Sequence, residues 1–243
     1  MMEHLKKLRE SNIKETKRLI KESTGKDDLI IQAINSINEI KIVANKMSAR
    51  LRLWYELYNP EFSRKIQDHS RFTELILKKD KQQLMKEIDA GESMGADLEK
   101  TDVDAILIIA EEISSLYSTI KKLEAYIEKT MQELCPNINS VAGSLIGAGL
   151  IEHAGSLKKL IEMPSSTVQL LGAEKALFRH LKTGAKCPKY GLILQHHIVS
   201  SVKDKAKAAR MLADKISIAA KIDYFKGEFI GDKLIKEIEE RFK

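Results

Sequence analysis

The residues of this chain that could do chemistry are mostly basic, and they sit in its second half. In LLGAEKALFRHLKTG, Lys175, Arg179 and Lys182 fall at i, i+4 and i+7, one face of a helix that starts just after Gly172 and Ala173. Taken alone such a face is more often simply solvated, with Glu174 favouring the positive helix N-terminus. The sharper reading is that free backbone N–H groups at the helix start and the cations beside them cradle phosphates. A second basic side, in VKDKAKAARMLADKISIAAKID, carries Lys203, Lys207 and Arg210, with Met211, Ile218 and Ile222 expected to face inward. Gly143, Gly147 and Gly149 in GSLIGAG would suit a dinucleotide or methyl donor only if they followed a strand, with an acid about 20 positions on. The preceding LCPNINS reads as a helix end and a turn, so these glycines are read as positions of close helix packing. His196 and His197 are adjacent and would diverge on a helix, with no carboxylate or cysteine at ligand spacing; neither a metal nor a cofactor is expected. A nucleophile elbow, a carboxylate pair and a phosphate loop are all missing from the sequence, which points away from an enzyme.

The elements that must position these residues follow from periodicity. Ile30, Ala33, Ile37, Ile40, Ala44, Met47, Leu51, Trp54 and Tyr58 alternate steps of three and four, a heptad seam. A second seam runs through Ile106, Ile109, Ile113, Leu116, Ile120, Leu123, Ile127, Thr130 and Leu134, and stops against Pro136. Two such helices joined by an insert fold back most simply as an antiparallel coiled-coil hairpin. The insert, about residues 59–102, reads as one or two short helices, SRKIQDHSRFTELILKK and KQQLMKEID, followed by a loop. Before the hairpin, residues 1–26 form a basic amphipathic helix with Leu5, Leu8, Leu19 and Ile20 on one side. After Pro136 the helices shorten, with breaks at Pro164, Gly184 and Pro188. Candidates are Val141–Ala154, Leu157–Glu162, Ser165–Leu171, Ala173–Lys182, Leu192–Ser200, Lys203–Lys221 and Gly231 to the end, and only GLILQHHIV is apolar enough to be a strand. The fold class is therefore all-α: a long antiparallel coiled-coil hairpin over 27–135 with a small helical tip, then a compact helical domain over 136–243.

Composition sets the partners. At 43% hydrophobic and 31% charged the chain can bury a core, and at 5% aromatic it is poor in stacking platforms for single strands. Residues 1–135 hold 23 Lys and Arg against 24 Asp and Glu, whereas 136–243 hold 18 against 11, so the excess positive charge lies in the second half. Such asymmetry suggests a polyanion partner for that half, read through phosphate and groove shape more than through bases. No apolar run reaches the ~20 residues of a membrane span, and MMEHLKKLRESNIKETKRL lacks a signal-peptide core. A cytoplasmic protein is expected, or a nuclear or nucleolar one in a cell with a nucleus. Cys135 and Cys187 are read as free thiols.

From Asp27 to Lys243 the chain resembles the Nop-domain family, which comprises the archaeal box C/D ribonucleoprotein core protein, its nucleolar relatives and a pre-mRNA-splicing relative. The matching stretches are IIQAINSINEI, LRLWYELYNPEF, HAGSL, MPSSTVQLLGAEKALFRHLKTG, PKYGLILQHHIV and KAARMLADKISIAAKID, in the family's order. The resemblance implies a coiled-coil domain and a Nop domain that binds a kink-turn RNA together with the small ribosomal-family protein that has bound it first. It implies contacts at Gly172, Ala173, Glu174 and Lys175, at Arg179, near Gln195 and His196, and at Lys207 and Arg210, to which the helical spacing adds Lys182. It also implies self-association through the coiled coil, for which Ile113, Leu116, Ile120 and Leu123 of the second seam are the candidates. Archaeal members carry a further domain ahead of the coiled coil that docks the methyltransferase fibrillarin; only about 26 residues precede it here, which makes a fibrillarin contact doubtful for this chain. The function expected is a non-catalytic RNA-binding scaffold of a box C/D-type ribonucleoprotein. The alternatives are a splicing-like assembly factor and a protein-only interaction module.

Overall fold

In a computed structural model, residues 2–242 are described, with side chains from His4 to Phe242. Among the described residues there are α-helices and one 3-10 turn and no strand. The first helices in chain order are α1 (Met2–Ser23), α2 (Lys26–Tyr55), α3 (Pro60–Lys65), α4 (His69–Lys78), α5 (Lys81–Glu87) and α6 (Lys100–Leu134). They are followed by α7 (Pro136–Ala142), α8 (Ser144–Ala154), α9 (Leu157–Glu162), α10 (Ser165–Val168) and α11 (Glu174–Thr183). The 3-10 turn Leu192–Gln195 then leads to α12 (His197–Ser201), α13 (Lys205–Tyr224) and α14 (Gly231–Phe242). Contacts group the chain into two units, one of Asn35–Ala125 and one of Met1–Ile34 with Tyr126–Lys243.

In the unit Asn35–Ala125, α2 and α6 run antiparallel. Lys41 Nζ donates to Glu124 Oε1 at 2.9 Å and the hydroxyls of Ser48 and Tyr117 lie 3.4 Å apart, so rising numbers on one helix meet falling numbers on the other. The seam shifts along the way, because Tyr55 and Ala110 are buried where alternation pointed to Trp54 and Ile109. An α-helix has 3.6 residues per turn, so a strict 3.5 repeat drifts by ~20° per heptad. By the end of α2 the inward position has moved one residue on.

The insert forms three short helices, one more than the sequence suggested. Asn59, Asp68 and Asp80 cap α3, α4 and α5, accepting from Phe62 N, Arg71 N and Gln83 N, and it is the break before Asp68 that divides the first candidate helix. Arg52 of α2 holds that break in place. Its guanidinium donates to His69 Nδ1 at 2.8 Å and to the carbonyls of Ser63 at 2.8 Å and Gln67 at 2.9 Å, and it lies 4.4 Å from the Phe72 ring centre. Beneath it Tyr55, Phe62 and Phe72 form one cluster with Leu51, Ile76, Leu84, Ile106, Ala110 and Ile113.

In the other unit α13 is the central helix, and α7, α9, α10, α12 and α14 pack on it. Its buried face consists of Ala208, Ala209, Leu212, Ala213, Ile216, Ser217, Ala219, Ala220 and Asp223. Ile218, expected inside, is 43% exposed: the alanines form the inner face and let neighbouring backbones approach closely, which rotates Ile218 outward. Asp223 closes the end of this helix. Its carboxylate accepts from Asn137 N at 3.1 Å, Asn137 Nδ2 at 2.7 Å and Ile138 N at 2.8 Å, and so supplies the acceptors that the first turn of α7 needs. Asn137 Oδ1 in turn accepts from Ile230 N at 2.7 Å, ahead of α14.

The glycine-rich run is two helices rather than one, α7 and α8, divided at Gly143, whose φ of +80° no L side chain adopts readily. Gly147 and Gly149 lie inside α8 as packing positions. A Cβ at Gly147 would come within 2.8 Å of Ile138 Cγ2 and Met131 Cε, and one at Gly149 within 2.5 Å of Leu192 Cδ2. The apolar stretch GLILQHHIV is the 3-10 turn and α12, with His196 as the N-cap between them. Its extended backbone brings the His196 and His197 rings together at 4.4 Å, where a continuous helix would have parted them.

His196 is buried, and its Nδ1 accepts from Ile198 N. Burial, helped by the adjacent His197, pushes its pKa down to about 4, against a backbone contact at Val141. The folded state thus holds this imidazole neutral, whereas an unfolded chain would protonate it near ~6.5. Its contribution to stability is complete above that value and is lost as pH falls toward 4. Thermal melts followed by circular dichroism should show the melting temperature falling across this window, with the fall reduced in His196→Asn, which keeps a capping acceptor. Asp223→Ala should cost about 3 kcal/mol by leaving buried donors of α7 without an acceptor, read as a lower midpoint in denaturant unfolding.

Candidate nucleic-acid interface

The cations singled out in the sequence all lie on the surface of the unit built around α13. Lys175, Arg179 and Lys182 are exposed on α11, a helix with no buried residue; Lys203 is exposed just ahead of α13, and Lys207 and Arg210 in its first turns. Among the described residues none of these side chains has a carboxylate within ion-pair distance, so their charge is available to a ligand.

The two basic faces are joined by a segment that sequence reasoning did not single out. Gly184, at φ +67°, ends α11, and the His180 ring bonds the Ala185 carbonyl, which sends the chain back along α10. There Gln169 Nε2 donates to Lys189 O at 2.5 Å, Gly191 N donates to Gln169 O at 2.8 Å and Leu192 N to Leu171 O at 2.7 Å. Gly191 is required at this crossing, because a Cβ would lie 2.0 Å from Leu171 O. The result is an open groove lined by Ser166, Gln169, Lys186, Lys189, Lys207 and Arg210. Asp204, also on its wall, spends one carboxylate oxygen on capping α13 through Lys207 N at 3.1 Å. Four cations with amide and hydroxyl groups between them form a surface suited to a phosphate backbone.

Not every candidate residue points outward. Glu174 turns back on its own loop, where its Oε1 accepts from Gly172 N at 2.7 Å. Partial burial alone would raise its pKa, but the Gly172 amide, its own amide and His153 outweigh that and lower it, so the side chain is an ionised cap. Gln195 is exposed, whereas His196 is 6% exposed and belongs to the core. Two apolar side chains not picked out from the sequence, Phe178 and Leu181, stand out from α11 at 61% and 69% exposure, beside its cations. Their i, i+3 spacing on a helix with an otherwise polar outer side was the available signal.

The seam residues Ile113 and Ile120 are buried within the chain's own hairpin, and Leu116 and Leu123 are half-buried. A different apolar stripe faces outward on α2 and the turn after it, with Ile42, Val43, Leu53 and, beyond the helix, Leu57 all close to or above half exposed. Among the described residues no cluster of three His, Cys, Asp or Glu side chains could hold a metal ion, and no helix is long and apolar enough to cross a membrane. Cys135 is buried, where burial pushes its thiol pKa up, and Cys187 is exposed; both are free.

The chain is 42% identical over 245 residues to an uncharacterised NOP5 family protein of Methanocaldococcus jannaschii, covering 93% of this chain and 59% of the relative. It is 37% identical over 243 residues to nucleolar protein 56 of Saccharomyces cerevisiae, covering 89% of this chain and 48% of the relative. It is also 36% identical over 215 residues to nucleolar protein 58 of Schizosaccharomyces pombe, covering 81% and 42%. The chain thus spans about half the length of these curated relatives. In fold it is similar to a chain of the crystal structure of a fibrillarin/Nop5p complex, with a TM-score of 0.59 at 22% identity, covering 98% of this chain and 77% of that one. The family model described as "Nop: snoRNA binding domain, fibrillarin" matches residues 36–243, and the chain belongs to that family.

Proposed function

We propose that this protein is a non-catalytic RNA-binding scaffold of a box C/D-type ribonucleoprotein. Its domain 136–243 grips a kink-turn RNA together with the small ribosomal-family protein already bound to it, and its coiled-coil domain 27–135 brings two copies together. The observation that carries the reading is the basic groove, where Lys186, Lys189, Lys207 and Arg210 meet on one surface, in a unit whose helix α11 exposes three further cations. Membership of a family described as snoRNA-binding supports it. The apolar pair Phe178 and Leu181 on the same helix supports a composite target, because cations alone would suffice for bare RNA whereas an exposed apolar pair fits a protein surface or a base stack.

Self-association through α2 and the turn after it rests on the outward stripe of Ile42, Val43, Leu53 and Leu57, since the seam itself is closed within one chain. Fibrillarin enters the proposal as a test only. The family description names it, and the structural relative is a chain of a complex with it; adding it to the assembled mixture asks whether it joins through these residues.

Gel shifts with a kink-turn RNA, with and without its small protein, should show tight binding only in the ternary mixture. Equal affinity for the small protein whether or not RNA is present would instead mark a protein-only module. Lys175→Ala with Arg179→Ala, and separately Lys207→Ala with Arg210→Ala, should weaken binding and flatten its salt dependence by ~0.7 to 0.9 in log–log slope per lost phosphate contact. An unchanged slope would show that these cations meet no phosphate. In light scattering, Val43→Glu with Leu53→Glu should convert a dimer to a monomer of unchanged helicity. Ile113→Asp with Ile120→Asp should lower the helicity itself, because both side chains are buried within the chain. A monomeric wild type removes the dimer.

A further inference from the structure

Helix α11 displays three cations and two exposed apolar side chains and has no fully buried residue of its own, so the contacts at its two ends weigh heavily in its direction. At the far end the His180 ring bonds the Ala185 carbonyl and Gly184 N donates to His180 O at 2.9 Å. At the near end the chain turns through Gly172 at φ +88°, a left-handed conformation, and through Ala173. Glu174 reaches back across this turn to accept the Gly172 N–H. The same carboxylate oxygen lies 3.3 Å from Nδ1 of His153, which stands near the C-terminal end of α8. The other ring nitrogen, Nε2, lies 3.6 Å from Glu152 Oε2, so the imidazole is bracketed by one carboxylate from its own helix and one from α11. The 3-10 turn packs against the same bend: a Cβ at Gly172 would meet Leu192 N at 3.1 Å, Leu192 Cβ at 3.2 Å and His153 Nε2 at 3.6 Å.

We propose that His153 is a positioning residue for ligand binding: held to Glu174 through Nδ1, it locks the Gly172–Glu174 turn and thereby fixes the direction in which α11 presents Lys175, Arg179, Phe178 and Leu181. The proposal rests on the reading of α11 as part of the RNA–protein interface. Two needs are met by one contact. The turn has to be rigid, because a mobile helix would surrender its conformational entropy on binding. An acid beside cations that receive phosphate has to be drawn back from the ligand, because left free it would repel it. His153 serves both by tying Glu174 to α8, a helix whose Gly147, Ala148, Gly149, Leu150 and Ile151 are buried in the core.

The test compares His153→Phe, which keeps a ring and has no N–H, with His153→Asn, whose Nδ2 takes the place of Nδ1. Two readouts are used: binding to a kink-turn RNA carrying its small protein, and amide exchange at Gly172 in the free protein. His153→Phe should weaken binding by about two- to fivefold, the size of one partly exposed ion-pair contact, with the log–log salt slope unchanged. It should speed Gly172 exchange to a similar degree, and His153→Asn should restore both. In the double variant His153→Phe with Glu174→Ala, binding should be no weaker than with Glu174→Ala alone. An additive loss, a His153→Asn variant as weak as His153→Phe, or a reduced salt slope would overturn the proposal, the last by making His153 a direct phosphate contact. If the wild type binds no such complex, the RNA reading fails, and Gly172 exchange still decides the latch: equal exchange in wild type and His153→Phe refutes it. Should His153→Phe not fold, Glu174→Ala supplies the same comparison.

Discussion

The unit that carries the candidate interface depends on how closely helices can approach α13. Its inner face is made of alanines at 208, 209, 213, 219 and 220 with Leu212 and Ile216 between them, all fully buried. Small side chains let five neighbouring helices reach one central rod, and at such distances a single added methylene would force backbones apart. Asp223 completes the constraint. An acid at this depth is tolerated because three N–H groups from Asn137 and Ile138 point at it, and the same bonds begin α7. Packing and capping are thus one device, which places the first helix of the domain against its last long one.

A core solved in this way leaves the outer layer free for charge. The cations at Lys175, Arg179, Lys182, Lys186, Lys189, Lys207 and Arg210 are contributed by elements whose backbones are held by glycine turns and by main-chain bonds. Their side chains are not committed to ion pairs among the described residues. By contrast the long helices spend charge on each other: Lys41 pairs with Glu124 in one unit, and Lys26 with Glu133 in the other. Exposed pairs of that kind contribute little to stability, so their value lies more in register. Unpaired cations on the outer layer raise the local potential instead, which favours a polyanion over a neutral partner.

The aromatic cluster of Tyr55, Phe62 and Phe72 shows the same separation of tasks in the tip. Rings meeting edge-on or stacked at 5.5–6.2 Å fill the junction between α2 and the short helices. Arg52 satisfies the carbonyls that the break between α3 and α4 would otherwise expose. It is a structural cation, one that a count of basic residues cannot tell apart from Lys175.

Periodicity and punctuation by themselves determined the helical class, the two long seams, the break before Pro136, the packing role of Gly147 and Gly149, and the concentration of positive charge in the second half. Those properties are local, set by side-chain spacing, by helix stops and by composition. Tertiary structure decided the rest. It chose Tyr55 over Trp54, because helical drift accumulates over several turns, and it turned Ile218 outward, because alanines took the inner face. It divided the glycine run at Gly143, a matter of one backbone angle. It buried His196 while exposing Gln195, turned Glu174 inward as a cap, and brought Lys186 and Lys189, distant in sequence, alongside Lys207 and Arg210. A charge can be counted along the chain, but whether it is spent inside the protein or offered to a partner depends on what the fold sets beside it.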